Sequence, residues 1–220
     1  MTTPLKDTFL STPPLPLILG SSSIFRRKVL DIHKIPHSTL NPNINEGKKL
    51  WDIHNSISKS SLIIELDPSA TALAVANAKM DALLSRWDNT QPDTLLVTCD
   101  QVVSWNDEVR EKPRSEEMCR MYMTSYTEIP AETHSAMVVA KTRDRNRAAG
   151  VDVARQWFHP IPPNVVDQLI KKGDVMYCAG GFMIEDDLMQ PYLAKRDGTE
   201  DSIMGMPVLL LEELVTKVMQ

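Results

Sequence analysis

Disulfide chemistry, a surplus of positive charge and apolar runs of membrane length are all missing from this 220-residue chain. Its three cysteines, Cys99, Cys119 and Cys178, are odd in number and widely spaced, with no Cys-x-x-Cys. That excludes a disulfide framework and points to reduced, mostly buried thiols in a cytosolic setting. Lys and Arg number 24 against 29 Asp and Glu, a net charge of -5. A duplex binder needs a basic face to displace condensed counterions, so broad nucleic-acid binding is not expected. A local basic pocket for a small anion remains compatible with that balance. Prolines at positions 4, 13, 14 and 16 break the N-terminus, and neither a secretory nor a transmembrane segment is expected. No internal repeat, low-complexity tract or Walker P-loop occurs.

What is present describes an ordinary globular protein, with 42% hydrophobic and 24% charged residues. Its length suits one sizeable domain or two small lobes sharing a cleft. Residues 1–14 read as a loose lead-in to a single domain spanning 15–220.

The most informative stretch is Leu17 to Leu30, LILGSSSIFRRKVL. An apolar run, a glycine with three serines, and renewed apolar spacing predict a strand, a tight loop and a helix ending near His33. A loop feeding a helix N-terminus points backbone N–H groups outward, and serine hydroxyls beside Arg26 and Arg27 add donors suited to phosphate. The same turn could serve only as a helix cap. The following STLNPNINEGKK is polar and turn-rich, and residues 50–68 read as a connection with partial helix.

Ser69 to Trp87 carries one apolar stripe, Leu73, Ala76, Met80, Leu83, Leu84 and Trp87, and is the clearest helix. Lys79 falls at the stripe's border, where its amine either reaches into a cleft or snorkels to solvent. Leu95 to Cys99 reads as a buried strand ending in Asp100, followed by a turn at Asn106-Asp107 and a return to Lys112. That hairpin could bring a base and a phosphate ligand together, or Asp100 could be a simple strand-end aspartate. Ser115 opens a helix, and His134–Ala140 and Val151–Phe158 are strands flanking a charged tip, KTRDRNRAAG. Asn164 is expected to cap a helix through Lys172, with Gly173 as terminator. Tyr177 to Ile184 reads as a glycine-split strand leading to Glu185, and a last helix starts near Pro207. Cys178 reads as a core thiol rather than a nucleophile.

Taken in order, LILGSSSIFRR, NPNINE, ALAVANAK, the segment from TCDQVV to EKP, and the pair CAGGFMIE and SIMGMPV resemble the Maf family over residues 17 to about 211. The resemblance implies an α/β fold: an elongated, mixed, twisted sheet with flanking helices, forming two lobes around a central cleft, usually as a homodimer. It implies a nucleoside triphosphate pyrophosphatase that cleaves between the α- and β-phosphates with a divalent cation such as magnesium, manganese or cobalt. Carried over by position, Ser21, Ser23, Arg26 and Arg27 would hold phosphates together with Lys79 and Lys112. Asp100 would be the general base and, with Glu46, a metal ligand.

One branch of the family, acting on thymidine and uridine triphosphates, generally has Asp-Thr at the catalytic strand and a late glutamine. The other, acting on 7-methyl-GTP, has Asp-Gln, an aromatic residue before the arginine pair, and a late glutamate. Asp100-Gln101, Phe25 and Glu185 match the second. A guanine edge offers two N–H donors to one carboxylate, whereas uracil would present a carbonyl oxygen and be repelled. Phe25 could stack on a cationic methylated base or lie under the loop as a core aromatic. The usual Leu-Ser-Gly before the histidine strand is missing, and the connection from Glu46 to Lys79 looks extended. Two alternatives stand beside this reading: the same chemistry on dTTP or UTP, and a non-catalytic nucleotide-binding regulator of cell division.

Overall fold

The computed structural model describes residues 9–44 and 67–220; Glu46 and most of the 50–68 connection lie outside the described residues. Strand β1 (Leu17–Gly20) leads through three serines into α1 (Ile24–Ile32), as the sequence predicts. A short β2 (Ser38–Thr39) lies parallel to β1, inside the stretch that reads as polar and turn-rich. Helix α2 (Pro68–Ser85) starts at Asp67, whose side chain accepts from the Ser69 N–H, with Pro68 preset for the first turn.

Strand β3 (Leu95–Trp105) is longer than the sequence suggests, so Asp100 sits at its middle rather than its end. Asn106 and Asp107, both at positive φ (48° and 64°), turn the chain back into β4 (Glu108–Arg110). Such paired left-handed residues suit the twist of a tight hairpin. Ser115 caps α3 (Glu116–Ser125) by accepting from the Met118 N–H. Strands β5 (Ala131–Lys141) and β6 (Arg147–Phe158) form a long hairpin. Its tip is shorter than expected, because Arg147 to Gly150 continue the ladder opposite Ala140 to Met137.

Helix α4 (Pro163–Lys172) is capped by Pro162 without a side-chain hydrogen bond, not by Asn164. Prolines at the start need no partner for a missing N–H. The expected strand at Tyr177–Ile184 is instead two 3-10 turns, Asp174–Tyr177 and Ala179–Gly181. Gly180 and Gly181 are both left-handed (φ 72° and 70°), which no extended strand accommodates. Strand β7 (Leu193–Asp197), α5 (Glu200–Ile203) and α6 (Val208–Met219) complete the chain.

The seven strands form one mixed sheet in the order β2-β1-β3-β5-β6-β7, with β4 also on β3. Strand β3 organises it. Its first half pairs with β1 through Thr98 and its last residues pair with β4 from Val103, so one edge is open between them. Side chains alternate across β3. Leu95, Val97 and Cys99 join a core with α1 and α6; Val103 joins a second core with α3 and α4; Leu96 and Val102 pack under α2. Gln101 therefore falls between the two cores on one face, and Asp100 faces α2 on the other. Leu10, ahead of β1, is fully buried in the first of these cores. Gly20 is where β1 meets α2, since a Cβ there would lie 2.5 Å from Leu83 Cδ1.

Candidate active site

The open edge of β3 is the floor of a cavity of about 420 Å3. Ser21, Ser22 and Ser23 reach it from the β1–α1 loop, Phe25 and Arg26 from the first turn of α1, Lys79 from α2, Asp100 and Gln101 from β3, and Lys112 from beyond β4. Glu185 and the 3-10 turns close the far side. Four separately encoded segments thus converge on one strand break.

The loop is built around Arg26. Its Nε donates to the Gly205 carbonyl at 3.0 Å, and its Nη1 donates to Ser21 Oγ at 3.1 Å and to the Cys99 carbonyl at 2.9 Å. Nη2 takes part in none of these bonds. Ser21 Oγ also accepts from the Ser23 N–H, and Ser23 Oγ accepts from the Arg26 N–H as the helix cap. These bonds fix the hydroxyls and the first turn of α1 before any ligand arrives, which is the preorganisation an anion site requires. Arg27, expected beside Arg26, does not line the cavity. One helical position turns a side chain by roughly 100°, and the half-buried Arg27 has an Nε without a hydrogen-bond partner.

Lys79 resolves to the buried alternative: it is 3% exposed, and its Nζ donates to Asp100 Oδ1 at 2.8 Å and to the Cys99 carbonyl at 3.2 Å. The Cys99 carbonyl, freed by the end of β1 pairing, therefore collects both a guanidinium and an ammonium. Asp100 keeps about 15% of its side chain exposed toward the cavity. Gln101 is committed inward: its Nε2 donates to Ser135 Oγ and to the Ser202 and Ile203 carbonyls, at 3.0, 3.2 and 3.0 Å. Gly205, left-handed at φ 83°, lies against the Gln101 amide.

Arg110 anchors the hairpin that carries Lys112. It is 2% exposed and stacks over Trp105, Tyr122 and Tyr126 at 4.2, 4.6 and 5.0 Å. Such a cage holds a buried cation without a carboxylate.

At the far end, Glu185 Oε1 is buried with no hydrogen-bond partner. Burial pushes its carboxyl above the usual carboxylate range, offset only in part by its own backbone N–H and by Lys28. An unpaired buried acceptor costs roughly 1–3 kcal/mol, so this group gains most from a ligand with N–H donors. Cys178 also lines this end, and burial, reinforced by Glu185, pushes its thiol up to about 12. A thiol held protonated is no nucleophile.

The Maf-like protein family profile matches residues 16–218. This chain belongs to the Maf family. Among its relatives, a 7-methyl-GTP pyrophosphatase of Dictyostelium discoideum is 35% identical over 209 residues, covering 93% of this chain and 98% of that protein. Proteins of the same name from Methylobacillus flagellatus and Xanthomonas axonopodis are 25% and 22% identical over 91% and 90% of this chain, and over 95% and 94% of their own. The mixed α/β architecture, a sheet flanked by helices, agrees with the expected Maf fold.

Of the residues expected from sequence, Ser21, Ser23, Phe25, Arg26, Lys79, Asp100, Gln101, Lys112 and Glu185 line one cavity. Glu46 lies outside the described residues. The Cys99 and Gly205 carbonyls that seat Arg26 were not anticipated from sequence, nor were Asp174 and Tyr177, which also line the cavity. Carbonyls carry no residue signature, and Tyr177 was hidden in a run that reads as strand.

Proposed function

We propose that this protein is a nucleoside triphosphate pyrophosphatase that cleaves 7-methyl-GTP into 7-methyl-GMP and pyrophosphate. The observation that carries the reading is a single cavity with cations and serine donors at one end and, at the other, Glu185, a half-buried carboxylate whose Oε1 is buried without a hydrogen-bond partner. A triphosphate bearing a guanine base complements both ends. Pyrimidine nucleotides complement only the first, and the relatives' name favours the guanine reading.

Ser21, Ser23, the first N–H groups of α1, Arg26 and Lys112 receive the phosphates. Asp100 accepts the proton of the water that attacks the α-phosphorus, and Lys79 Nζ, 2.8 Å from Asp100 Oδ1, orients that carboxylate. Lys79 also offsets charge on the transferring oxygens. Glu185 accepts the guanine N1–H and N2–H, and Phe25 packs on the base.

Among the described residues no cluster of three or more metal-binding side chains occurs. One carboxylate beside a phosphate site nonetheless fits magnesium or manganese, which take one or two carboxylates plus substrate oxygens and water. Asp100 would hold such an ion, with Glu46 a second candidate, and the ion would supply neutralisation of phosphate charge. A dimeric, cytosolic enzyme is part of this proposal; no described helix is long and apolar enough to cross a membrane.

Reaction in oxygen-18 water, with the products resolved by mass spectrometry, tests the chemistry. Pyrophosphate together with 7-methyl-GMP carrying the label is expected. Inorganic phosphate with 7-methyl-GDP would contradict the assignment.

A further inference from the structure

The far end of the cavity holds more than Glu185 requires. Tyr177 lines it with 75% of its surface exposed, an unusual situation for an aromatic ring that could bury itself. Asp174 lines it too, from the start of the same 3-10 turn. The turn is anchored in the core. Gly173, left-handed at φ 90°, ends α4 and redirects the chain, and Val175, 1% exposed, plugs into the core shared with α3 and α4. Cys178 closes the turn, its Sγ donating to the Asp174 carbonyl at 3.5 Å. Asp174 and Tyr177 line the same cavity as Glu185, which puts a second carboxylate and a tyrosine in one space with the first.

Reading a neutral guanine edge needs one carboxylate. An exposed ring face and a second carboxylate are instead the chemistry that recognises a cation. Alkylation at N7 makes the purine ring cationic and leaves the N1–H and N2–H edge in place. Glu185 therefore cannot by itself separate 7-methylguanine from guanine, because both offer it the same donors.

Building on the pyrophosphatase reading, we infer that Tyr177 and Asp174 form a cation-selective wall of the base subsite and discriminate an N7-alkylated, cationic purine from a neutral one. Tyr177 acts by stacking its ring on the charged base, and Asp174 by charge attraction. Glu185 selects purine edge against pyrimidine; the Asp174–Tyr177 turn selects charge.

The test is kcat/KM for 7-methyl-GTP and for GTP, measured side by side on wild type, Tyr177→Leu, Tyr177→Trp and Asp174→Asn. Tyr177→Leu should lower the 7-methyl-GTP to GTP ratio about 2- to 30-fold, the range of a cation–π contact. Tyr177→Trp should keep the ratio at or above the wild-type value. Asp174→Asn should lower it too, with an effect that shrinks as salt rises. A merely structural role would depress both substrates by the same factor and leave the ratio unchanged, which overturns the inference while the pyrophosphatase reading stands. Wild-type enzyme that turns over neither guanine nucleotide overturns that reading and this inference with it.

Discussion

Replacing Glu185 with glutamine keeps the shape of the side chain and changes its hydrogen-bonding pattern. In the native protein Oε1 is buried with no partner, and burial already disfavours the ionised form. Guanine presents two adjacent donors, and a carboxylate accepts both. A glutamine accepts one and turns an NH2 group against the other, so the variant loses a bidentate pair worth roughly 1–3 kcal/mol of discrimination. That corresponds to a fall of about 5- to 150-fold in the ratio of kcat/KM for 7-methyl-GTP over UTP. Because the amide pairs with a uracil edge, UTP turnover should rise while 7-methyl-GTP turnover drops.

The fold should not suffer from this change. A carboxyl whose folded-state pKa is raised binds its proton more tightly in the native state, so ionising it costs stability as pH rises through that window. Removing the charge should leave the melting temperature at pH 7 unchanged or higher. The assay is pyrophosphate release with both substrates at saturating magnesium, alongside thermal denaturation. A 7-methyl-GTP to UTP ratio within about twofold of wild type, in a variant of unaltered melting temperature, would refute the base-recognition argument, since a contact of this kind is worth at least about fivefold.

Other consequences follow from the same geometry. Gly20→Ala would place a methyl 2.5 Å from Leu83 Cδ1 and 2.8 Å from Thr98 Cγ2, and overpacking of this kind costs about 1–3 kcal/mol; thermal denaturation should show a melting temperature lower by about 2–12 °C, and an unchanged value contradicts the packing described. His134 lies 8% exposed between Ser69 Oγ and Ser104 Oγ, each 2.8 Å from a ring nitrogen, and burial lowers its pKa despite nearby Glu132. Its depressed folded value means that stability is full above the ordinary histidine range and is lost as pH falls below it. His134→Gln should therefore flatten the denaturant midpoint between pH 7 and 5, relative to wild type, and an unaltered pH slope would show that His134 contributes nothing to acid sensitivity.

Some of this architecture is written in local chemistry and some is not. The strand, serine loop and helix at Leu17–Leu30 can be read because helix capping and apolar spacing act within a few residues, and Ser23 and Ser115 cap as their positions foretell. The Asn106-Asp107 turn is legible for the same reason. The run from Tyr177 to Ile184 misleads, because its composition suits a strand while two left-handed glycines and the buried Val175 impose turns. Short β2 exists only because β1 offers it an edge, which no local pattern encodes. In the site, side chains with ionic or hydroxyl chemistry could be picked out, and the cavity gathers most of them. What seats them could not: Arg26 reaches the Gly205 carbonyl across 179 residues of sequence. The difference between Arg26 and Arg27 is likewise a matter of which way a helix faces.

The most direct test of the central claim is pyrophosphate release across a panel of canonical and modified nucleoside triphosphates with magnesium or manganese, wild type beside Asp100→Asn. Release largely confined to 7-methyl-GTP, and reduced about 10²- to 10⁴-fold in the variant as loss of a general base requires, is the expected result. Silence of the wild type across the panel, or full activity in Asp100→Asn, would contradict the account.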